Sequence, residues 1–128
     1  MNLTTAAYLA CLWIVALINL LPAIGLLGAD RLARTYGVEI ASAELELLLR
    51  HRALLFGIIG GFVMYALWAP QFRLASLLLA GVSMGGFLQM SMQGGPYNDQ
   101  IGMVVKIDGV GLVALAAGLL LHLGLAEH

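Results

Sequence analysis

Charge is what this sequence has least of. Six basic and seven acidic residues make up 10% of its 128 positions, against roughly 25% in an ordinary soluble domain, while 62% are hydrophobic. That balance excludes a water-soluble enzyme, a disordered tail and a nucleic-acid-binding module. No basic run occurs and the formal net charge is -1, so neither a phosphate backbone nor a polybasic lipid anchor is indicated. Cysteine is nearly absent too. Cys11 stands alone, which rules out an internal disulfide framework, and it reads as a small buried hydrophobe. No Cys or His cluster has zinc spacing, and no glycine-rich nucleotide loop precedes a suitable helix. Met84, Met90 and Met92 beside Gln89 are better explained as apolar filling than as a copper(I) site, because Met90 and Met92 fall on nearly opposite helix faces. No metal and no cofactor is expected.

What the chain has instead is long uncharged runs, over residues 1–29, 53–72, 74–98 and 109–126. Each is near or above the ~20 apolar residues that cross ~30 Å of hydrocarbon as a helix. The start, MNLTTAAYLA, lacks the positive charge of a secretory leader, so the first run is expected to be a retained span. Helices are expected over about 4–28, 43–69, 72–93 and 100–125. The expected fold class is therefore an all-α membrane protein, one antiparallel bundle of four transmembrane helices over residues 1–128, with a short interfacial segment between helices one and two.

Local signals fix the joints. Pro22 predicts a bend near Ile18, because proline removes a backbone donor and crowds the preceding turn. In the segment after it, Asp30 can cap a short turn and Gly37 can end it in the left-handed conformation. Ser42 followed by Glu44 and Glu46 starts the second helix outside the membrane, and Pro70 stops it. The turn there is so short that the second and third helices must form a hairpin. Trp68 and Tyr65 mark that end as interfacial. Glycines and alanines recur along the spans and allow close helix approach.

The charges cluster. Eight of the thirteen (Asp30, Arg31, Arg34, Glu39, Glu44, Glu46, Arg50 and Arg52) lie between residues 30 and 52. Arg31, Arg34, Arg50, Arg52 and Lys106 fall on one side of the bundle and Arg73 alone on the other, so the positive-inside rule puts the long loops in the cytoplasm and both termini outside.

Alternating helix directions bring Asn19, Arg50-His51-Arg52, Gln89, Gln93, Lys106 and Asp108 to one depth. The opposite half holds little beyond Cys11, Trp13, Ser76 and its aromatic ends, with His122 read as interfacial. Asp108 should face the interior, because an ionisable group facing lipid is costly, and its natural partner is an arginine of the second helix. Arg50 and Arg52 lie about 200° apart around that helix, so only one can point inward.

Three readings of this cluster stay open. Asn19, Arg50, His51, Arg52, Gln89 and Asp108 could line a pocket that binds or carries a lipid-like or small anionic ligand, since arginine offers a planar fork for carboxylate or phosphate. His51 and Asp108 could transfer a proton in an enzyme acting on a lipophilic substrate. An Arg-Asp pair could simply fix helix register in a structural subunit. The expected partners are membrane lipids and not nucleic acid. A homo-oligomer is left open because four helices have little room for a private pore.

The order Asn19-Leu-Leu-Pro22, Arg-Leu-Ala-Arg-Thr-Tyr36-Gly37, Arg50-His51-Arg52-Ala-Leu-Leu-Phe56-Gly57 and Asp108-Gly109 resembles a family of small bacterial four-helix membrane proteins of unestablished function. The resemblance covers nearly the whole chain and implies a multi-pass protein of the bacterial inner membrane. Members often carry the label phosphopantetheine adenylyltransferase, which implies a soluble α/β nucleotidyltransferase with a TxGH-type phosphate motif. This sequence has neither that composition nor that motif, and the family brings no catalytic residue to carry over.

Overall fold

The structure, a computed structural model, describes residues 1–127. Among these, all regular structure is helical. Helix α1 (Leu3–Leu20) starts at Asn2, whose side chain accepts a hydrogen bond from the Thr5 amide at 2.8 Å. Near Pro22 the chain tightens into a 3-10 stretch, Leu21–Leu27. The expected bend is thus a change of helix type, which accommodates a residue with no N–H to give its preceding turn.

Helix α2 (Ala29–Tyr36) is amphipathic, burying Leu32 and Tyr36 while Asp30, Arg31 and Arg34 point outward. Gly37 ends it at φ 59°, where a side chain would be strained and a Cβ would also strike Gln100. Helix α3 (Ala43–Trp68) begins where Ser42 Oγ accepts from the Leu45 amide at 3.1 Å, with Glu44 and Glu46 in the first turn. A 3-10 turn, Pro70–Phe72, leads into α4 (Arg73–Gln93), and Asn98 caps α5 (Asp99–Ala126). The segments Leu3–Leu27, Ala43–Trp68, Pro70–Gln93 and Asp99–Ala126 are long and apolar enough to cross a membrane. They match the expected spans to within about two residues.

Contacts along the seams give the register. Ala16 and Leu20 of α1 meet Gly60 of α3, while Ala23 meets Gly57, so the two elements run antiparallel. Gly60 permits this approach: a Cβ there would lie 2.7 Å from the Leu20 backbone nitrogen and 3.0 Å from the Ala16 carbonyl oxygen, and backbone cannot step aside. On the other flank of α1, Tyr8 meets His122, Cys11 meets Gly118 and Ile18 meets Gly111, again antiparallel. Helices α4 and α5 pair through Gly81 and Leu115. Helices α1 and α4 are parallel across the diagonal, Tyr8 against Arg73 and Asn19 against Met84.

The core between the helices is Tyr8, Leu12, Val15, Ala16, Val63, Leu77, Ala80, Met84 and Leu115. The outward faces are apolar as well, with Leu17, Ile58, Val82, Val113 and Leu120 all exposed. Helices that are apolar all round suit a hydrocarbon surrounding and are unlike the polar-backed helices of a water-soluble bundle. The bundle has two ends. The terminal end carries Tyr8, Trp68, Arg73 and His122; the loop end carries Asn19, α2, Arg52 and Asp108.

Candidate functional site

The loop end is built from four elements. Asn19 lies in the last turn of α1, Tyr36 ends α2, Arg52 sits in the third turn of α3, and Asp108 in the third turn of α5. Asn98 ties α2 to this assembly: its side-chain amide donates to the carbonyls of Tyr36 and Gly37 at 2.9 Å each, while its carbonyl oxygen caps α5 by accepting from the Ile101 amide. Tyr36 is held beneath that clamp, 6% exposed.

Arg52 points inward into an aromatic box. Its guanidinium carbon lies 5.2 Å from the ring centre of Tyr36, 4.9 Å from Phe56 and 4.8 Å from Phe87, so rings from α2, α3 and α4 converge on one cation. Each such contact contributes about 0.5–2 kcal/mol, depending on how far the cation is desolvated. Among the described residues, no hydrogen bond and no ion pair involves this guanidinium. Its planar edge of N–H donors is therefore free. Beside it opens a groove of about 220 Å³ lined by Arg52, Leu55, Phe56, Ile59, Ser83, Phe87 and Met90, apolar apart from the arginine head and one hydroxyl.

Asp108 is buried, 6% exposed, and its Oδ2 has no hydrogen-bond partner. It lines a separate cavity of about 230 Å³ between the end of α1, α2 and α5. Asn19 is 1% exposed. Its amide nitrogen donates to the Val15 carbonyl at 2.9 Å and approaches Met84 Sδ at 3.7 Å, but its Oδ1 is without a partner. Buried polar atoms with no partner are rare in folded proteins, so two at one level of one bundle are a local peculiarity.

The structure divides the six residues expected to form one pocket. Asn19, Arg52 and Asp108 are gathered at the loop end. Arg50, His51 and Gln89 are exposed. Arg50 lies 3.7 Å from Glu46 and donates to the Leu26 carbonyl at 3.3 Å, so its charge is engaged on the surface. His51 lines an outer groove of about 470 Å³ with Leu26, Ala43, Glu46, Leu47, Arg50 and Leu54, none of which borders Asp108. Its whole helix face, including Leu47, Leu48, Leu55 and Ile58, is turned outward. His51 and Asp108, expected to exchange a proton, thus border different cavities. Gln93 and Lys106 are likewise exposed.

The expected arginine–aspartate ion pair is also corrected. Asp108 faces inward, yet among the described residues the only ion pair is Arg50–Glu46. The three rings surround the guanidinium, and the carboxylate is left unbridged among the described residues.

Sequence reasoning missed the box and the opposite end. Phe56 lies four residues after Arg52, one turn along the same face, and was legible. Tyr36 and Phe87 arrive from other helices and carry no local signal. At the terminal end, expected to hold little, the Tyr8 hydroxyl and His122 Nδ1 lie 2.9 Å apart. Arg73 covers the Tyr8 ring at 5.6 Å while donating to the carbonyls of Ala66 and Leu67. His122 is thus a half-buried partner in a packed cluster.

Among the described residues, no group of three or more His, Cys, Asp or Glu side chains is placed to hold a metal ion. No protein-family model, no curated protein and no solved structure matches the chain.

Proposed function

We propose that this protein is a multi-pass protein of the bacterial inner membrane that binds or carries an anionic, lipid-like amphiphile, with the head group on Arg52 and the apolar chain along the α3–α4 groove. One observation carries the reading: a cation held on three aromatic faces, with its donor edge unused, at the head of an apolar groove. Guanidinium edges match carboxylate and phosphate oxygens bidentately, and a half-buried position strengthens such a contact relative to water. Arg50 and His51, in the outer groove, contribute at most to surrounding head groups.

The membrane setting rests on the four apolar helices and on their apolar outward faces. In that setting α2 lies at the interface, with Arg31 and Arg34 toward head groups and Leu32 and Tyr36 toward the bundle. The basic bias of the loop end puts that end in the cytoplasm and both termini outside. The resemblance to the small bacterial four-helix proteins is part of the same proposal and agrees with its localisation.

The binding test uses purified protein in a neutral maltoside detergent. Dioleoyl phosphatidylglycerol should raise the melting temperature and dioleoyl phosphatidylcholine should not, because a ligand that binds only the folded state stabilises it by mass action. Arg52→Gln should lose the shift. Equal shifts from both lipids, or a full shift in Arg52→Gln, reject the Arg52 site. A cytoplasm-active reporter fused at the C terminus should stay silent, and strong activity reverses the orientation.

A further inference from the structure

The cavity on the other flank of the bundle has the opposite chemistry. It lies between the end of α1, α2 and α5, holds about 230 Å³, is walled by Ile18, Pro22, Tyr36 and Val104 with Asp108 on its lining, and opens outward past the exposed Leu21, Ile24 and Ile107. Asp108 Oδ2 is buried and has no partner. Thr35 at the rim has already given its hydroxyl proton to the Arg31 carbonyl, at 2.8 Å, so it too presents lone pairs. Behind the wall, Asn19 is a donor in both of its side-chain contacts and leaves Oδ1 unsatisfied.

The polar lining is the Asp108 carboxyl, the Thr35 hydroxyl and the Tyr36 phenol, and the negative charge of the carboxylate selects a cation. An anion is repelled by the carboxylate, and a purely apolar guest leaves the carboxylate without a partner. A bare metal ion is undersupplied, since calcium takes roughly six to eight oxygens and the wall offers carbon nearly everywhere. A primary ammonium has three N–H donors and a positive charge, and an attached alkyl chain fits the rest of the lining. We infer that this cavity is a second site, distinct from the Arg52 groove, which binds the primary ammonium group of an alkylamine or aminolipid on Asp108. Arg52 does not fill this role, because it sits among Tyr36, Phe56 and Phe87 and, among the described residues, makes no ion pair.

The test is calorimetric titration of the full chain in neutral maltoside with octylammonium chloride, with octyltrimethylammonium and octanoate as comparison probes. Octylammonium should bind saturably. The trimethylated cation, which has charge but no N–H, and the carboxylate should each bind at least tenfold more weakly. Asp108→Asn should weaken octylammonium binding at least tenfold. Val104→Phe, which fills the cavity from its wall and leaves Asp108 in place, should abolish it, so the test survives if one variant fails to fold. Competition by dioleoyl phosphatidylethanolamine assigns the site to a lipid head group, and its absence assigns it to a free amine. Arg52→Gln should bind octylammonium at least as tightly as the parent while losing the phosphatidylglycerol response, which separates this inference from the proposal for Arg52. The inference is overturned by absent binding in the parent, by octanoate binding as tightly as octylammonium, or by unchanged binding in both Asp108→Asn and Val104→Phe.

Discussion

The two ends of the bundle contain similar polar material and use it differently. At the terminal end the buried polar groups pair with one another: Tyr8 bonds His122, Arg73 covers Tyr8 and donates to two carbonyls at the end of α3, and Ser76 Oγ donates to the Arg73 carbonyl. At the loop end Arg52 has aromatic faces but no anion, and Asp108 and Asn19 each keep an unpartnered buried oxygen. A closed network of polar groups rigidifies a fold, whereas an incomplete one is a cost that persists where function uses it. The terminal end reads as a staple and the loop end as a place left for something else.

The contrast can be broken by substitution, and the largest effect is expected at the staple. Tyr8→Ala empties a buried ring position and should lower stability by about 3–5 kcal/mol, read as a large drop in thermal midpoint in neutral detergent. Tyr8→Phe keeps the ring but strands His122 and should cost about 1–2 kcal/mol. If Tyr8→Phe melts like the parent, the terminal end is not a staple.

At the loop end the effects should be smaller in stability and larger in binding. Arg52→Ala gives up contacts with three rings at about 0.5–1 kcal/mol each, and part of that loss is recovered by solvation of the vacated box, leaving a net cost of about 1–2 kcal/mol. The smallest loss is expected for Asp108→Asn, which should be no less stable than the parent to within about 0.5 kcal/mol, since it has no ion pair to lose and sheds an unpaired buried charge. A loss of several kcal/mol in Asp108→Asn, matched by a similar loss in Arg52→Ala and non-additive in the double variant, restores the ion pair and removes the contrast.

The architecture was legible because its signals are local. Uncharged runs of sufficient length, Ser42 before two glutamates, Pro70 at a hairpin and Gly37 after a short amphipathic stretch each dictate structure within a few residues of themselves. Helix orientation about its own axis was the weaker step. Arg50 and His51 are the conspicuous polar residues of α3, whereas its inward stripe is Ala53, Phe56, Gly60 and Val63, with Arg52 at its margin. Small residues at helical spacing marked that stripe better than charge did, because close approach of α1 requires them. The convergence of Tyr36 and Phe87 on Arg52, and of Tyr8 on His122, depends on how five helices are docked, and no spacing in the chain encodes it.

The central claim, that the loop end is left incomplete for an anionic amphiphile, is tested most directly by native mass spectrometry of the protein extracted with its own lipids. The parent and Tyr8→Phe should both carry an anionic lipid adduct that survives mild activation, and Arg52→Gln should fly bare. A parent without adduct, or an identical adduct on Arg52→Gln, contradicts the account.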